Sequence, residues 1–405
     1  MRPFLALCAV AVIAAPPALA QQRPPVEQGA KNAPWQEPAF PGQTRAPQSD
    51  TAPRVAVEPV AEGLPQLWGM EFLPDGAMLV TAKAGAMHIV SPAGVAGPAI
   101  ANVPAVDARR QGGLLDVALS PNFAQDGLVY ASFSEPRGGG ENGTSVFRAR
   151  LVRDGDGGAL EDVTVILRQT PSYAGTMHYG SRLAFAPDGT LFVTTGERSR
   201  QPIRDQSQDT ASGLGKIFRI NPDGSVPKDN PFVGAAPAQP AIWSYGHRNL
   251  QSAVVTEAGE LWTVEHGPRG GDELNKPEAG KNYGWPVITY GINYGGSRVG
   301  EGITRRDGME QPVYYWDPVI APSGMAEYTS DRIAQWRGAL LVGGLVAQAL
   351  VVLKHDGERV VTEDHVPLGA RIRDVKVGPD GAVYAITEQR GGPSGIVRVV
   401  PADAS

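Results

Sequence analysis

The chain repeats one pattern, a polar turn followed by an apolar run. Leu73-Pro74-Asp75-Gly76 leads into AMLVTA, Ala186-Pro187-Asp188-Gly189 into TLFVTT, and Gly378-Pro379-Asp380-Gly381 into AVYAIT. Looser versions are Ser120-Pro121-Asn122 ahead of GLVYASF and Glu257-Ala258-Gly259 ahead of ELWTV; Trp336-Arg337-Gly338 ahead of ALLVGGL makes a sixth. In the full form Pro presets the first φ of the turn, Asp caps it and Gly takes the positive φ. The run behind it is apolar or alternates with period two, which predicts a strand. Helical periodicity is nearly absent. Self-similar strand units at long intervals mark a propeller or array. The pattern predicts an all-β chain forming a six-bladed β-propeller, with blades of four antiparallel strands. Residues 54–60 are predicted to pair with 395–400, closing the ring and removing exposed edges. A pair of β-sandwiches is the alternative, and the recurring turn argues against it.

Before the repeats come two other segments. Residues 1–20 combine Met1-Arg2, an apolar run from Leu5 to Ala15 and Ala18-Leu19-Ala20, the plan of a secretory signal peptide. The run is too short to span a bilayer. The single cysteine, Cys8, lies within it, so the exported chain is expected to hold together by its core, without disulfides. The expected destination is a bacterial periplasm. Residues 21–52 are rich in Pro, Gln and Ala with no period of either kind, and read as a disordered linker; docking through Trp35 or Phe40 is the second reading. Residues 53–402 make the propeller domain. The 50 Gly and 36 Pro among 405 residues fall short of the roughly 25–30% typical of disorder, so they signal dense turns. A net charge of −6 argues against a nucleic-acid partner. No basic stripe or amphipathic helix suggests membrane insertion.

The candidate chemistry begins at WTVEHGPRGGDELNKPEAGKNYGW, residues 262–285. A strand-like start breaks into a long glycine-rich loop, and long structureless loops in compact domains are usually functional. It carries the adjacent carboxylates Asp272 and Glu273 and the unbranched backbone of Gly267, Pro268 and Gly271, whose carbonyls are free to turn inward. Hard oxygen donors suit calcium. His266 lacks the second His or Cys that zinc needs. The plain alternative is a solvated loop of caps and turns. Elsewhere, Gln111, His178, Glu197, Arg248-Asn249, and Arg371 and Arg373 stand where repeats leave the strand period. Residues i and i+2 of a strand share a face, so Arg371 and Arg373 can address one anion. Each alone would be an ordinary surface, capping or core residue; together, at blade ends, they would converge on one mouth of the ring.

These residues, with QGGLLD, WSYGHRN, EHGPRGGDE, KNYGWP, GINY and RIRDV in order, make residues 54–400 resemble the soluble quinoprotein aldose dehydrogenases. Those are six-bladed propellers that use pyrroloquinoline quinone (PQQ) and calcium. The resemblance implies a sugar substrate, an unidentified electron acceptor and a monomer or homodimer. It implies that His178 is the general base, that Glu197 orients it, and that Arg248 stabilises charge on the quinone oxygen. It implies PQQ contacts from Gln111, Arg248, Asn249, Tyr294, Arg371, Ile372 and Arg373, and from the blade-end residues Gly344, Leu345 and Val346. Carbonyls of Gly267 and Pro268 would hold the cofactor's calcium, while Glu273 and the Tyr283 carbonyl, with Asp272, would mark a second one. The chain departs from the family at His247 and Leu250, which flank Arg248-Asn249 in place of an aliphatic residue and Pro, and at Met177. It departs again at Val346, where the family has Lys. A calcium-dependent hydrolase or lactonase, and a non-catalytic binding propeller, are the alternatives on this fold.

Overall fold

The computed structural model describes residues 23–402; the expected signal segment, residues 1–20, lies outside the described residues. The chain forms six antiparallel sheets arranged as the blades of a β-propeller. Blade 1 comprises Leu67–Phe72, Met78–Ala82 and Ala86–Val90, and blade 2 comprises Leu114–Leu119, Leu128–Pro136, Asn142–Asp154 and Gly157–Arg168. Blades 3, 4 and 5 begin with the strands Gly180–Phe185, Leu250–Val255 and Pro322–Glu327. Blade 6 takes Arg371–Val377, Val383–Glu388 and Ser394–Pro401 from the C-terminal end and Val55–Leu64 from the N-terminal end. The expected closure is present: Val55 pairs with Pro401, Val57 with Val399 and Pro59 with Val397. The first strand of each blade lies innermost, and these six strands touch in cyclic order around the channel.

The turn phrases do what their residues require. Gly76, Gly189 and Gly381 sit at φ of 83°, 84° and 74°. In the same three turns Asp75, Asp188 and Asp380 each accept the N–H two residues on. Each turn joins an inner strand to the second strand of its blade. One buried apolar cluster then fills each gap between successive blades, so the core is divided into six interfaces rather than gathered at one centre.

Two expectations need correction. Blade 1 has three strands, not four. The next segment runs beside its edge strand with Gly97 and Ile100 donating to the Ile89 and Met87 carbonyls. Pro98 between them has no N–H to give, so the ladder is broken. The stretch expected to be a disordered linker is instead packed across blades 4 and 5 from residue 23 to residue 52. The Gln43 carbonyl accepts from Tyr315 N–H and the Pro47 carbonyl from Glu363 N–H, which satisfies outer-strand edges. Asn32 and Ala33 donate backbone N–H groups to the Asp317 carboxylate at 3.0 and 3.1 Å. Ala33, Gln36, Gln43 and Ala46 are buried. The docking residues are thus small or amide-bearing, at spacings of three, seven and three. Trp35 remains half exposed, with the Arg298 guanidinium 5.8 Å from its ring.

Candidate active site

Every inner strand carries a register shift near its first residues: between Leu67 and Gly69, Leu114 and Val117, Leu250 and Ser252, Pro322 and Met325, and Ile372 and Asp374, with the equivalent break opposite Gly180. All six lie at the same end of the channel. Bulges re-aim side chains, and here they turn residues of all six blades towards one cavity of about 400 Å³. Its floor is a buried ion cluster. The Arg182 guanidinium meets Asp116 at 2.8 Å and Asp374 at 2.9 Å, and lies 4.3 Å from the centre of the Trp68 ring. Both carboxylates also accept backbone N–H groups, from Leu183 and Met70, so the cluster is satisfied and plugs the channel.

Behind one wall lies a buried His–carboxylate pair that touches the cavity's lining residues. His178, at φ 51°, has its N–H held by the Gln111 side-chain oxygen at 2.7 Å. Its Nδ1 lies 3.1 Å from Glu197 Oε1. A carboxylate accepts, so Nδ1 carries the proton and Nε2 keeps its lone pair. Glu197 is fully buried and His178 is 5% exposed. Burial pushes the imidazole below its usual value, with Glu197 opposing this. Burial also works against the carboxylate's charge, yet His178 and Arg248 hold Glu197 below its usual value. Arg248 is tied to the same wall. Its carbonyl accepts from Glu197 N–H, its Nη1 donates to the His266 carbonyl at 2.9 Å, and its guanidinium carbon lies 5.1 Å from the Trp285 ring centre. Its Nε is buried without a partner, a donor left over for a bound acceptor.

Of the residues expected at the cofactor, Gln111, Asn249, Leu345, Val346, Arg371 and Arg373 line the cavity. His178, Glu197 and Arg248 stand one layer behind, joined to it through Gln111 and His266. Three others are placed elsewhere. Ile372 is fully buried in the cluster between blades 5 and 6, because it alternates with the two arginines along the strand. Tyr294 is 74% exposed on a loop closed by the Ile292–Arg298 bridge. Gly344 is a ladder residue paired with Pro322. Arg371 and Arg373 do share one anion, Glu388, each at 3.1 Å. Sequence reasoning missed Lys83, Arg110, Gln251 and Arg390, and weighed His266 only as a zinc ligand; all five also line the cavity. They lie outside the repeated phrases; Arg110 directly precedes QGGLLD, and His266 lies within EHGPRGGDE. His266 sits 2.7 Å from the Pro322 carbonyl through Nε2. Burial, then Arg248 and Arg373, push it down to about 3, so it is neutral and Nε2 is the donor.

The adjacent carboxylates of the loop face opposite ways, as strand neighbours must. Asp272 accepts from Gly267 N–H at 2.8 Å and Ala321 N–H at 2.7 Å, and burial still pushes it up to about 7. Glu273 turns away, towards Asn275 and Glu265. Burial, then repulsion from Glu265, raise it well above its usual value. Asp272 therefore cannot join Glu273 on one ion. Among the described residues no three His, Cys, Asp or Glu side chains gather, so a cation would depend on carbonyls. The carbonyls of Gly267, Pro268 and Tyr283 accept no backbone hydrogen bond among the described residues, and the Asn275 side-chain oxygen is buried without a donor. Acceptors without donors beside raised carboxylates fit calcium. His247, stacked 4.8 Å from the Tyr283 ring and 3.0 Å from Glu265, occupies the position where an aliphatic residue was expected.

Comparison with known proteins agrees with this architecture. The family profile described as glucose/sorbosone dehydrogenase matches residues 64–398. The aldose sugar dehydrogenase YliI of Escherichia coli (strain K12) is 41% identical over 347 residues, covering 84% of this chain and 91% of its own. The apo-form crystal structure of the soluble aldose sugar dehydrogenase from Escherichia coli superposes with a TM-score of 0.81 at 39% identity, over 86% of this chain and all of that one. The PQQ-bound aldose sugar dehydrogenase from Streptomyces coelicolor gives a TM-score of 0.71 at 30% identity, over 86% and 99%.

Proposed function

Because the chain belongs to the glucose/sorbosone dehydrogenase family, we propose that it is a periplasmic, PQQ- and calcium-dependent dehydrogenase that oxidises aldoses at the C1 hydroxyl to lactones. The observation that carries this reading is the buried His178–Glu197 pair set against a cation-lined cavity. A bound PQQ supplies the ortho-quinone that accepts the hydride. Arg371 and Arg373 would hold its carboxylates by charge-assisted contacts, with Asn249 and Gln111 as further polar contacts. The carbonyls of Gly267 and Pro268 would hold calcium as a Lewis acid. Glu273, with the Tyr283 carbonyl, would hold the second ion.

His178 takes the C1 hydroxyl proton on Nε2 while Glu197 holds Nδ1–H and stabilises the imidazolium that forms. The positive end of Arg248, with its unpartnered Nε, stabilises negative charge developing in front of it. The buried Arg182 cluster holds the inner strands of blades 2, 3 and 6 together beneath the cavity. The hydrolase alternative asks for free acidic ligands at the channel centre. Asp116 and Asp374 lie there, and both are taken up in ion pairs with Arg182. The test is to titrate purified apoprotein with PQQ and calcium, following the absorbance spectrum and glucose-dependent dye reduction. We expect both signals, and a loss of roughly 100-fold or more in turnover for His178→Ala. A spectrum unchanged by PQQ would sink the reading.

A further inference from the structure

The cavity is lined by five cationic side chains, Lys83, Arg110, Arg371, Arg373 and Arg390, against one carboxylate, Glu388. That carboxylate is already shared by Arg371 and Arg373, so the pair has only part of its charge left for a ligand. Val346 on blade 5 adds none and is 54% exposed. Arg110 and Arg390 stand in water on the rim, where a charge is worth little. Lys83 differs from these. It follows the second strand of blade 1, on the far side of the arginine pair from Val346, and is half-buried. Among the described residues its ammonium meets no carboxylate, only the Arg110 carbonyl. Burial holds it below its usual value, Arg373 adds to this, and Glu388 opposes it.

The fold builds this position deliberately. Gly113, at φ 146°, leaves room for the lysine: a Cβ there would fall 2.1 Å from the Lys83 carbonyl oxygen and 2.7 Å from its Cγ. The second glycine of QGGLLD thus lets the aliphatic stem of Lys83 lie along the wall, with the ammonium at the cavity. Such a cation lacks a counter-ion of its own, and an anionic ligand would gain from supplying it.

We propose that Lys83 is a cofactor-binding residue of this protein, supplying from blade 1 the counter-charge for an anionic group that Val346 does not supply from blade 5. This rests on the PQQ reading above, whose ligand carries three carboxylates. The experiment compares wild type, Lys83→Met and Lys83→Arg as apoproteins with calcium, measuring PQQ affinity by fluorescence quenching at several salt concentrations. Lys83→Met should weaken binding about ten-fold or more, with a shallower salt dependence, while Lys83→Arg stays close to wild type. Affinity and salt slope unchanged in Lys83→Met would overturn the proposal. So would a weaker affinity with the wild-type salt slope, since that marks lost packing rather than lost charge. If wild type itself binds no PQQ, the cofactor reading fails first and this assignment falls with it.

Discussion

Replacing Glu197 by Gln tests the site at its least exposed point. The change keeps shape and a hydrogen-bonding oxygen for His178 Nδ1–H at the 3.1 Å contact, but removes the charge. Both partners are buried, so solvent screens the loss little. A hydrogen bond to a charged group contributes about 1.5–3 kcal/mol, and about 1.4 kcal/mol is a factor of ten. Turnover should therefore fall about 10- to 100-fold. The pH profile separates this from a packing defect. His178 acts as a base only when neutral, so activity rises with pH through its pKa, which burial already places below the usual 6.5. Glu197 is the group that opposes that shift. Without its charge the imidazolium is less favoured, and the acid limb must move to still lower pH. The assay is kcat against pH at saturating sugar with reconstituted enzyme. Turnover within about three-fold of wild type, with an unmoved acid limb, would refute the assignment of base and orienting acid.

Two further outcomes follow from buried groups. Lys216 Nζ donates to the carbonyls of Gln206, Ser207 and Leu214 at 3.1, 2.9 and 2.6 Å; Lys216→Met strands those acceptors and should cost about 2–4 kcal/mol in denaturant unfolding. Burial pulls this ammonium from 10.5 down to about 7, so between those values the unfolded chain binds more protons and wild-type stability rises with pH; the Met variant should lack that rise, and retaining it would discount the group. Deleting residues 21–52 uncovers Tyr314 and Trp316 and removes three N–H donors from Asp317. The melting temperature should drop by about 5 °C, and an unchanged melting curve would mean the packed arm adds no stability.

What the sequence made legible is what repeats or what obeys a strand period. The Pro-Asp-Gly turns located the blades because a positive φ, an acceptor and a fixed φ are needed together, and few residues supply them. The alternation of Arg371, Ile372 and Arg373 gave the shared anion, and the same alternation expels Ile372 from the site. His178, Glu197 and Arg248 were readable through the motifs they sit in. Lys83 was not, because its role comes from the closing of six separate strands on one space, and His266 was read there only as a zinc ligand. The arm of residues 23–52 was illegible for another reason. It docks through carbonyls and small buried side chains, which leave no hydrophobic rhythm, and its composition is that of a solvated chain.

Blade 6 is stitched from the two ends of the chain, and it also holds Arg371, Arg373 and Glu388. Synthesis delivers Val55–Leu64 long before Ser394–Pro401, so the earlier strand must wait unpaired for the later. Until they meet, the sheet that orients the two guanidiniums has an open outer edge. Pairing of Val55–Leu64 with Ser394–Pro401 therefore ties the blade that carries the two guanidiniums to the closure of the ring.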